Sequence, residues 1–574
     1  MTAIFQKLYL TPIAIAALLL VQSSVTQAQT EHPSSSSSIN VLNTDPVTQQ
    51  LDQIGATYYK ADQPGASIIV VKDGKVLLRK GYGLANVEKQ EALKADHVMR
   101  LGSISKQFTA VGILQLVEEG KIALDDPVTK FFPDYPESGK RITIEHLLTH
   151  TSGIPSYTGK PGFLATAGKD ISVQAMVDSF KNDPLEFEPG TAYKYNNSGY
   201  FLLGAIIEKV SGETYAKFVE KRLFTPLGMK DSSYEGYERS QQVRAAGYTQ
   251  SASGFEPSIR ISMTQPYAAG ALTSTVDDLA KWDAAINAGK LLKAEHWKRA
   301  FTPYKLKNAQ DTNYGFGWAV GQFESQTMIS HGGGIPGYAT YALSLPKEKV
   351  FVAVLTNADS GLAQPEMVSM RLAATAIGKP IPEFKPVKLD QKTLDQFAGV
   401  YRIDDKNRRF FVREGENLVM TRTNGPRTVL KAYSQNGFFK DHNSLLRIEF
   451  KRNAGGEVTE AVVHQQGTVV SHPRLNEALP EAPKTFAMSP EQFDIYVGNY
   501  ELNPDFILSV RREGSKFIVQ ATGQGPVTIS PVSADTFNAP DVGAIFKFEK
   551  TADGKVQQLI LTQGGRNLPA RKIN

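Results

Sequence analysis

Apolar residues recur at helical spacing after position 103 and predict a helix in this part of the chain. The positions that carry the pattern are Ile104, Phe108, Val111, Leu114 and Val117. Ser103 suits the first turn of such a helix, and Gly120 suits its end. Lys106 follows Ser103 by three residues, so both side chains lie on one face, where the amine can share the proton of the hydroxyl.

Strand-like segments lie on either side of this helix. They are residues 66–71, 75–78, 339–345 and 350–356. The first two flank Asp73-Gly74, which is a strong signal for a β-hairpin. A Pro-rich segment follows at residues 380–386, and we expect one mixed domain of helices and strands over residues 46–380.

The last third of the chain repeats itself. Short segments alternate there with turn residues and few helical patterns, which is typical of small β-barrels or sandwiches. Residues 394–401 resemble residues 493–500 position by position. We predict two copies of one small all-β domain, at residues 387–480 and 487–574, joined by the segment 480–483.

The first 28 residues have the composition of a secretory signal peptide. Lys7 supplies the positive end, residues 13–21 are apolar, and Thr26-Gln27-Ala28 offers small residues for cleavage. An uncleaved membrane anchor is the alternative, but the apolar segment is short for a span of about 20 residues. Residues 29–45 form a flexible Ser-rich leader. We expect a bacterial periplasmic or secreted protein with no stable membrane anchor after cleavage.

Composition narrows the possible functions. With 574 residues the chain is too long for one compact domain, and its net charge of +5 is too small to indicate a nucleic-acid partner. It has no cysteine, which excludes disulfides, a thiol nucleophile and a thiolate metal site. We expect a small-molecule or short-peptide substrate, and the sequence leaves the oligomeric state open.

Two polar motifs follow the Ser103 helix. Tyr195 and Asn197 lie just before an apolar helical segment, where a packed ring and a helix cap are their alternative roles. His331 opens the segment His331-Gly332-Gly333-Gly334, whose glycines let a backbone approach a substrate closely. A phosphate-binding loop is the competing role of this segment, but it lacks the G-x-x-x-x-G-K-[ST] pattern.

A pair of histidines raises the question of a metal site. His146 and His150 stand four residues apart, but Leu147 replaces the glutamate of H-E-x-x-H. Helix packing and loop hydrogen bonds are the preferred roles for both. We expect no metal and no organic cofactor.

Ser103-x-x-Lys106, Tyr195-x-Asn197 and His331-x-Gly333 occur together in one order. With them, residues 45–380 resemble the class C β-lactamase-like serine hydrolases of the β-lactamase and penicillin-binding superfamily. The resemblance implies a β-lactamase/transpeptidase-like α-β-α sandwich with an antiparallel sheet. With two lipocalin-like barrels behind it, the architecture is similar to that of D-aminopeptidase, so the expected fold class is multidomain α+β.

The resemblance also implies roles for the motif residues. Ser103 is acylated, Lys106 is the base once its pKa is lowered, Tyr195 carries the proton to the leaving group, and Asn197 orients Lys106 and the substrate amide. By the family pattern, the backbone N–H groups of Ser103 and Gly334 form the oxyanion hole. The candidate oxyanion and substrate-binding residues are Ser103, Gly333 and Gly334.

One motif departs from the family pattern. Many members have Lys-Thr-Gly where this chain has His331-Gly332-Gly333, and a histidine is mostly neutral near pH 7. We therefore expect amides or peptides containing D-amino acids, or esters, to be preferred over substrates with a free carboxylate. A carboxylesterase, a β-lactamase or DD-carboxypeptidase, and a non-enzymatic protein that binds lipid or peptidoglycan fragments are the alternatives. We also expect a barrel loop to overhang Ser103.

Overall fold

The computed structural model describes residues 45–573 apart from short gaps. The gaps are residues 161, 237–242, 424, 443, 466, 482–485, 504–505, 523 and 565. The predicted signal peptide, nearly all of the Ser-rich leader and part of the segment 480–483 lie outside the described residues.

A six-stranded antiparallel sheet forms the centre of the first domain. In spatial order its strands are Ala319–Phe323, Gln326–Ile335, Tyr338–Leu345, Val350–Thr356, Ala66–Lys72 and Lys75–Tyr82. The last two form the predicted hairpin. Ile68 pairs with Val354, which joins the beginning and the end of the domain in one sheet.

Helices cover both faces of this sheet. Pro46–Tyr58 and Pro365–Ala376 pack on one face, and Ser105–Glu118, Asn197–Ser211 and Val276–Asn287 belong to the layer on the other. Because both faces are covered, every residue of the strand Val350–Thr356 is buried. This arrangement confirms the predicted α-β-α sandwich with an antiparallel sheet.

Shorter elements complete the first domain. Its other α-helices are Val128–Phe131, Ile144–Leu148, Phe163–Thr166, Val173–Phe180, Tyr215–Val219 and Ala294–Ala300. Its other strands are Leu84–Asn86, Glu91–Ala92, Met99–Arg100, Ser233–Tyr234, Tyr248–Ser251, Gly254–Pro257 and Leu272–Ser274. Arg100 pairs with Thr273, which brings the chain just before Ser103 beside the loop that contains Ala269.

Two closed eight-stranded antiparallel barrels follow, as the repeat predicts. The strands of the first are Gly399–Arg402, Arg408–Glu414, Asn417–Arg422, Thr428–Ala432, Gly437–Phe439, Arg447–Arg452, Val458–Gln465 and Thr468–Leu475. Those of the second are Gly498–Asn503, Phe506–Glu513, Lys516–Ala521, Pro526–Pro531, Thr536–Ala539, Ala544–Lys550, Val556–Gln563 and Arg566–Lys572. A short helix precedes each barrel, Gln391–Asp395 and Pro490–Phe493. Buried apolar and aromatic side chains form a core cluster in each barrel.

The two barrels differ at one matched pair of buried positions. Arg409 pairs with Tyr401 in the first barrel, and Leu508 pairs with Tyr500 in the second. Arg409 is 8% exposed and Leu508 is 2% exposed. The Nε atom of Arg409 is buried without a hydrogen-bond partner. The Nη1 atom donates to Met420 Sδ at 2.8 Å, so the first barrel holds a partly unsatisfied polar group where the second has an apolar contact.

The first barrel contacts the first domain at the turn between the strands Ala319–Phe323 and Gln326–Ile335. The backbone N–H of Glu324 donates to the carbonyl of Gly467 at 2.9 Å. Within the described residues, no helix is both long and apolar enough to cross a membrane.

Candidate active site

Ser103 lies in a single 3-10 turn, Gly102–Ile104, that leads directly into the helix Ser105–Glu118. Its side chain makes no capping bond to this helix, so the hydroxyl remains free for chemistry. Gly102 has a φ of +53°, and a Cβ at this position would lie 3.0 Å from the backbone nitrogen of Gly334. Glycine at position 102 therefore lets the Ser103 turn approach the strand that carries Gly334.

Gly333 and Gly334 play different parts in this approach. A Cβ on Gly333 would lie 2.0 Å from the carbonyl oxygen of Leu101, so only glycine allows the strand to pack there. The hydroxyl of Thr340 donates to the same carbonyl at 2.8 Å and holds the two segments together. Gly334 lines the same pocket as Ser103. Gly333 is thus a packing residue, and Gly334 is the one of the two that lines the pocket beside Ser103.

Lys106 is fully buried beside Ser103. Its Nζ atom lies 3.1 Å from Ser103 Oγ, 2.8 Å from Asn197 Oδ1 and 2.8 Å from the carbonyl oxygen of Ala269. Burial lowers the pKa of the Lys106 ammonium well below its ordinary value. The amine is therefore suited to accept a proton at neutral pH.

The hydrogen bonds of Lys106 fit a neutral amine. Such an amine has two N–H donors and one lone pair. Asn197 Oδ1 and the Ala269 carbonyl can only accept, so they take the two donors, and the lone pair remains for the O–H of Ser103. The same three contacts serve an ammonium once the proton has moved, because Ser103 Oγ then becomes the third acceptor.

Asn196, rather than Asn197, caps the helix Asn197–Ser211. The side chain of Asn196 accepts from the N–H of Gly199 at 2.7 Å. This leaves Asn197 free to serve Lys106, and its Nδ2 donates to Thr158 Oγ1 at 3.1 Å, which turns Oδ1 toward the amine. The alternative role of Asn197 as a helix cap is therefore wrong.

Tyr195 contacts both members of the Ser-Lys pair. Its hydroxyl interacts with the Ser103 side chain, and its ring centroid lies 4.9 Å from Lys106 Nζ. The residue as a whole is 37% exposed, although its hydroxyl is buried. Burial of that hydroxyl raises its pKa above the ordinary tyrosine value, so it is a neutral proton donor at physiological pH.

His331 is buried and neutral. Its Nδ1 lies 2.6 Å from the Gly332 carbonyl, which can only accept, so Nδ1 carries the proton. Nε2 then accepts from the hydroxyl of Tyr314 at 2.8 Å. Burial, together with the nearby Lys106, lowers the pKa of His331 to about 3. Its ring lies 6.1 Å from that of Tyr195, so it belongs to the wall of the site.

Three neighbours of the motif residues were not predicted as part of the site: Ala269, Tyr314 and His150. His150 is buried with a φ of +60°, and its Nδ1 accepts from the N–H of Asn196 at 3.1 Å. Its ring centroid lies 4.3 Å from that of Tyr195, so the two rings pack together and His150 helps to hold the phenol in position. Burial lowers the pKa of His150, which keeps the ring neutral. The sequence pointed to packing and hydrogen bonding for His150, but it gave no sign of the contact with Tyr195.

His146 takes part in a helix cap instead. Its Nδ1 accepts from the N–H of Thr143 in a reciprocal capping pair. Within the described residues, no group of three or more His, Cys, Asp and Glu side chains is arranged to hold a metal. His146 and His150 therefore act in packing and hydrogen bonding.

Ser103 opens onto a pocket of about 220 Å³. Its apolar lining residues are Tyr157, Phe163, Ile261, Pro266, Ile335 and Pro336. None of the described residues that line it carries a charge, and none belongs to a barrel. The described residues therefore lend no support to a barrel loop that overhangs Ser103, which stays a hypothesis; the first barrel contacts the turn at Glu324.

A serine hydroxyl, a buried amine with a lowered pKa and a phenol lie close to one another, as expected of a serine hydrolase of the β-lactamase fold. The chain belongs to the Beta-lactamase family, whose model matches residues 47–376.

Three known proteins illustrate what the chain is similar to. Penicillin-binding protein 4* of Bacillus subtilis (strain 168) is 28% identical over 73% of this chain and 97% of its own length. The structure of the octameric penicillin-binding protein homologue from Pyrococcus abyssi is 27% identical, with a TM-score of 0.53, over 73% of this chain and 97% of that chain. The D-amino acid amidase from Ochrobactrum anthropi SV3 is 26% identical, with a TM-score of 0.47, over 54% of this chain and 91% of that chain.

Proposed function

We propose that the protein hydrolyses amide or ester bonds through an acyl-enzyme on Ser103, and that its substrates are D-amino acid derivatives with an apolar, uncharged acyl part. The observation that carries the proposal is the absence of charge among the described residues lining the Ser103 pocket. A free carboxylate or a free α-ammonium finds no counter-charge in this lining. An N-acylated amino acid amide or ester fits it better.

The first step transfers one proton and forms one bond. The O–H proton of Ser103 passes to the lone pair of Lys106 over 3.1 Å, while Oγ attacks the carbonyl carbon. The carbonyl oxygen becomes an oxyanion, which the N–H groups of Ser103 and Gly334 stabilise. Loss of one such donor typically costs about 10²–10³ in turnover.

Proton delivery to the leaving group falls to Tyr195. Its neutral phenol donates to the departing amine or alkoxide as the carbon–leaving-group bond breaks, and the ammonium of Lys106 returns a proton to the phenol. The rings of Tyr195 and Tyr200, 4.9 and 5.4 Å from Nζ, favour the lysine cation that exists at this stage. Water then repeats the sequence on the acyl-enzyme and releases a carboxylic acid.

A matched substrate panel tests this proposal. N-acetyl-D-alanine p-nitroanilide, its L enantiomer, the unblocked D-alanine anilide and a chromogenic cephalosporin are compared by kcat/KM on the full chain. We expect the blocked D substrate to rank first and Ser103→Ala to abolish turnover. A cephalosporin turned over fastest, or activity that survives in Ser103→Ala, would contradict the proposal. A fluorophosphonate probe followed by peptide mass spectrometry checks that Ser103 is the residue acylated.

Carboxylesterase activity is the second candidate, favoured by the same apolar lining. An alkoxide leaves more readily than an amine, so an ester depends less on Tyr195. A short nitrophenyl ester should therefore retain more activity than an anilide in the variant Tyr195→Phe. Equal losses on both substrates would count against an esterase. The names of the two penicillin-binding relatives describe those proteins, and the cephalosporin arm tests whether the property extends to this chain.

We also propose that the chain is exported and acts in the periplasm or outside the cell, on the strength of the signal-like residues 1–28. Expression of the full chain in a bacterial host, followed by fractionation and N-terminal sequencing, tests this. We expect a periplasmic or secreted product that begins after Ala28. A cytoplasmic product that keeps its first residues would contradict it.

A further inference from the structure

A second cavity lies on the same face of the sheet as His331, behind the helix that carries Lys106. It has a volume of about 280 Å³ and shares no lining residue with the Ser103 pocket. The helix Val276–Asn287 forms one side and the strands Gln326–Ile335 and Tyr338–Leu345 form another. Gln107 and Trp318 also line it. The volume suits one ring with a short chain, since ligand pockets begin near about 300 Å³.

The walls of this cavity are aromatic and held in place. The indole of Trp282 stacks on Phe108 at 4.2 Å and its Nε1–H donates to Gln107 Oε1 at 3.0 Å. Trp318 meets the edge of Phe301 at 5.1 Å. Trp282 and Trp318 are nearly fully buried. The cavity is therefore preformed and does not require rearrangement to accept an occupant.

One carboxyl group stands among these rings. Asp283 accepts from Asn287 Nδ2 at 2.7 Å, and Ser344 lines the same cavity. Among the described lining residues it is the one that titrates in the physiological range, and no Lys, Arg or His of the described chain forms an ion pair with it. Burial raises the pKa of Asp283 to about 7. A mostly apolar cavity thus holds a carboxyl group without a counter-charge.

This combination of groups selects one ligand chemistry. Aromatic faces attract cations through their quadrupoles, and a carboxylate adds a charged hydrogen-bond acceptor. A carboxylate ligand would be repelled by Asp283, and a purely apolar ligand would leave it unpaired. We propose that this cavity binds a primary organic ammonium ion that carries one aromatic ring or a short branched apolar chain.

The cavity borders both catalytic elements. Gln107 directly follows Lys106, and Ala342, which lines the cavity, pairs with His331 in the sheet. An occupant therefore adjoins the backbone of both residues, and we expect it to change turnover as well as to bind. The change in turnover rests on the proposed function, whereas binding does not, so the two are measured separately.

Tryptophan fluorescence gives a direct binding assay on the full chain. The sequence has three tryptophans: Trp282 and Trp318 line the cavity, and Trp297 lies 6.1 Å from Trp318. The probes are 2-phenylethylammonium, the neutral 2-phenylethanol and the anionic 3-phenylpropionate, titrated at pH 8. We expect saturable quenching by the ammonium, at least ten-fold tighter than by the alcohol, and none by the anion.

Variants assign the binding to Asp283. Asp283→Asn keeps the shape of the side chain and should weaken the ammonium about 10–100-fold, the usual loss for a charged hydrogen-bond partner, with little effect on the alcohol. Asp277→Asn is the control, since Asp277 lies on the same helix but pairs with Arg79 outside the cavity. Ser344→Phe should fill the space and abolish binding of both probes.

The pH dependence supplies an independent check. Between pH 8 and pH 6 the carboxylate of Asp283 gains a proton, so the preference for the ammonium over the alcohol should fall as the pH drops through about 7. Equal affinities for the three probes, no binding at all, or an unchanged ammonium affinity in Asp283→Asn would each overturn the proposal. Binding without any change in kcat would limit the cavity to a ligand site with no effect on catalysis.

Discussion

Replacing Lys106 by methionine tests whether its amine is neutral in the folded protein. Methionine keeps an unbranched side chain of similar length and removes the group that titrates. The variant should be inactive, but its stability is the sharper measurement. If the pKa of Lys106 is lower in the folded chain than in the unfolded chain, the free energy of unfolding is reduced at every pH where the unfolded chain binds this proton and the folded chain does not.

The size and sign of this effect follow from linkage. An unfolded lysine titrates near about 10.4, and the folded Lys106 titrates well below that value. Between the two pKa values the unfolded chain binds one more proton, so the free energy of unfolding rises with pH by about 1.4 kcal/mol per unit. Below the folded pKa both states are protonated and the slope vanishes. The variant Lys106→Met lacks this slope, and the contributions of the other titrating groups cancel in the comparison with the wild type.

Urea unfolding followed by tryptophan fluorescence measures the slope. All three tryptophans lie in the first domain, so the signal reports that domain rather than the barrels. The difference between wild type and Lys106→Met should change by about 1.4 kcal/mol per pH unit between pH 8 and 10. Lys140→Met, at an exposed lysine, supplies the baseline for the loss of one positive charge. A difference that stays constant with pH would show that Lys106 is an ammonium in the folded state and would refute the base role.

Three further outcomes are expected. Gly333→Ala should lower kcat about 10²-fold or more, because the new Cβ would collide with the backbone carbonyl of Leu101 and move the N–H groups proposed to bind the oxyanion. Gly334→Ala should keep the wild-type melting temperature, because a Cβ at this position meets no atom within 4 Å. The pH profile of kcat/KM between pH 5 and 9 should keep its shape in His331→Gln, because the pKa of His331 is about 3 and the residue is neutral throughout this range. The loss of an inflection from the profile of the variant would contradict this. Arg409→Leu should stabilise the first barrel by about 1–3 kcal/mol, because it removes a buried unpaired donor, and a lower melting temperature would show that Arg409 has a favourable partner.

The fold was predictable where the sequence pattern is local or repeated. The hairpin around Asp73-Gly74 depends on two turn residues, and the helix after Ser103 depends on apolar spacing that persists for four turns. The two barrels followed from self-similarity. The difference between Arg409 and Leu508 was not predictable in this way. A strand pattern predicts which face is buried, but it does not show whether a buried polar atom such as Arg409 Nε has a hydrogen-bond partner.

The cap of the helix at Asn197 shows a limit of local reasoning. Asn196 and Asn197 are chemically identical, and either suits an N-cap. Which of them caps depends on where the preceding loop enters. In the structure Asn196 accepts from Gly199, and its own N–H is held by His150, 46 residues earlier in the chain. A shift of one residue in this loop would exchange the asparagine that caps the helix with the asparagine that contacts Lys106.

The protonation of Lys106 shows why the site as a whole needed the structure. The spacing from Ser103 predicts that the amine can reach the hydroxyl, but reach alone does not make a base. The pKa of the amine is lowered because it is enclosed by groups that come from distant parts of the sequence, with Asn197 91 residues and Ala269 163 residues away. The same enclosure places two tyrosine rings over Nζ, which favour the cation after proton transfer. Burial thus destabilises the ammonium form of Lys106, while the rings and carbonyls offset part of that cost, and the balance of the two effects sets the pKa of the amine.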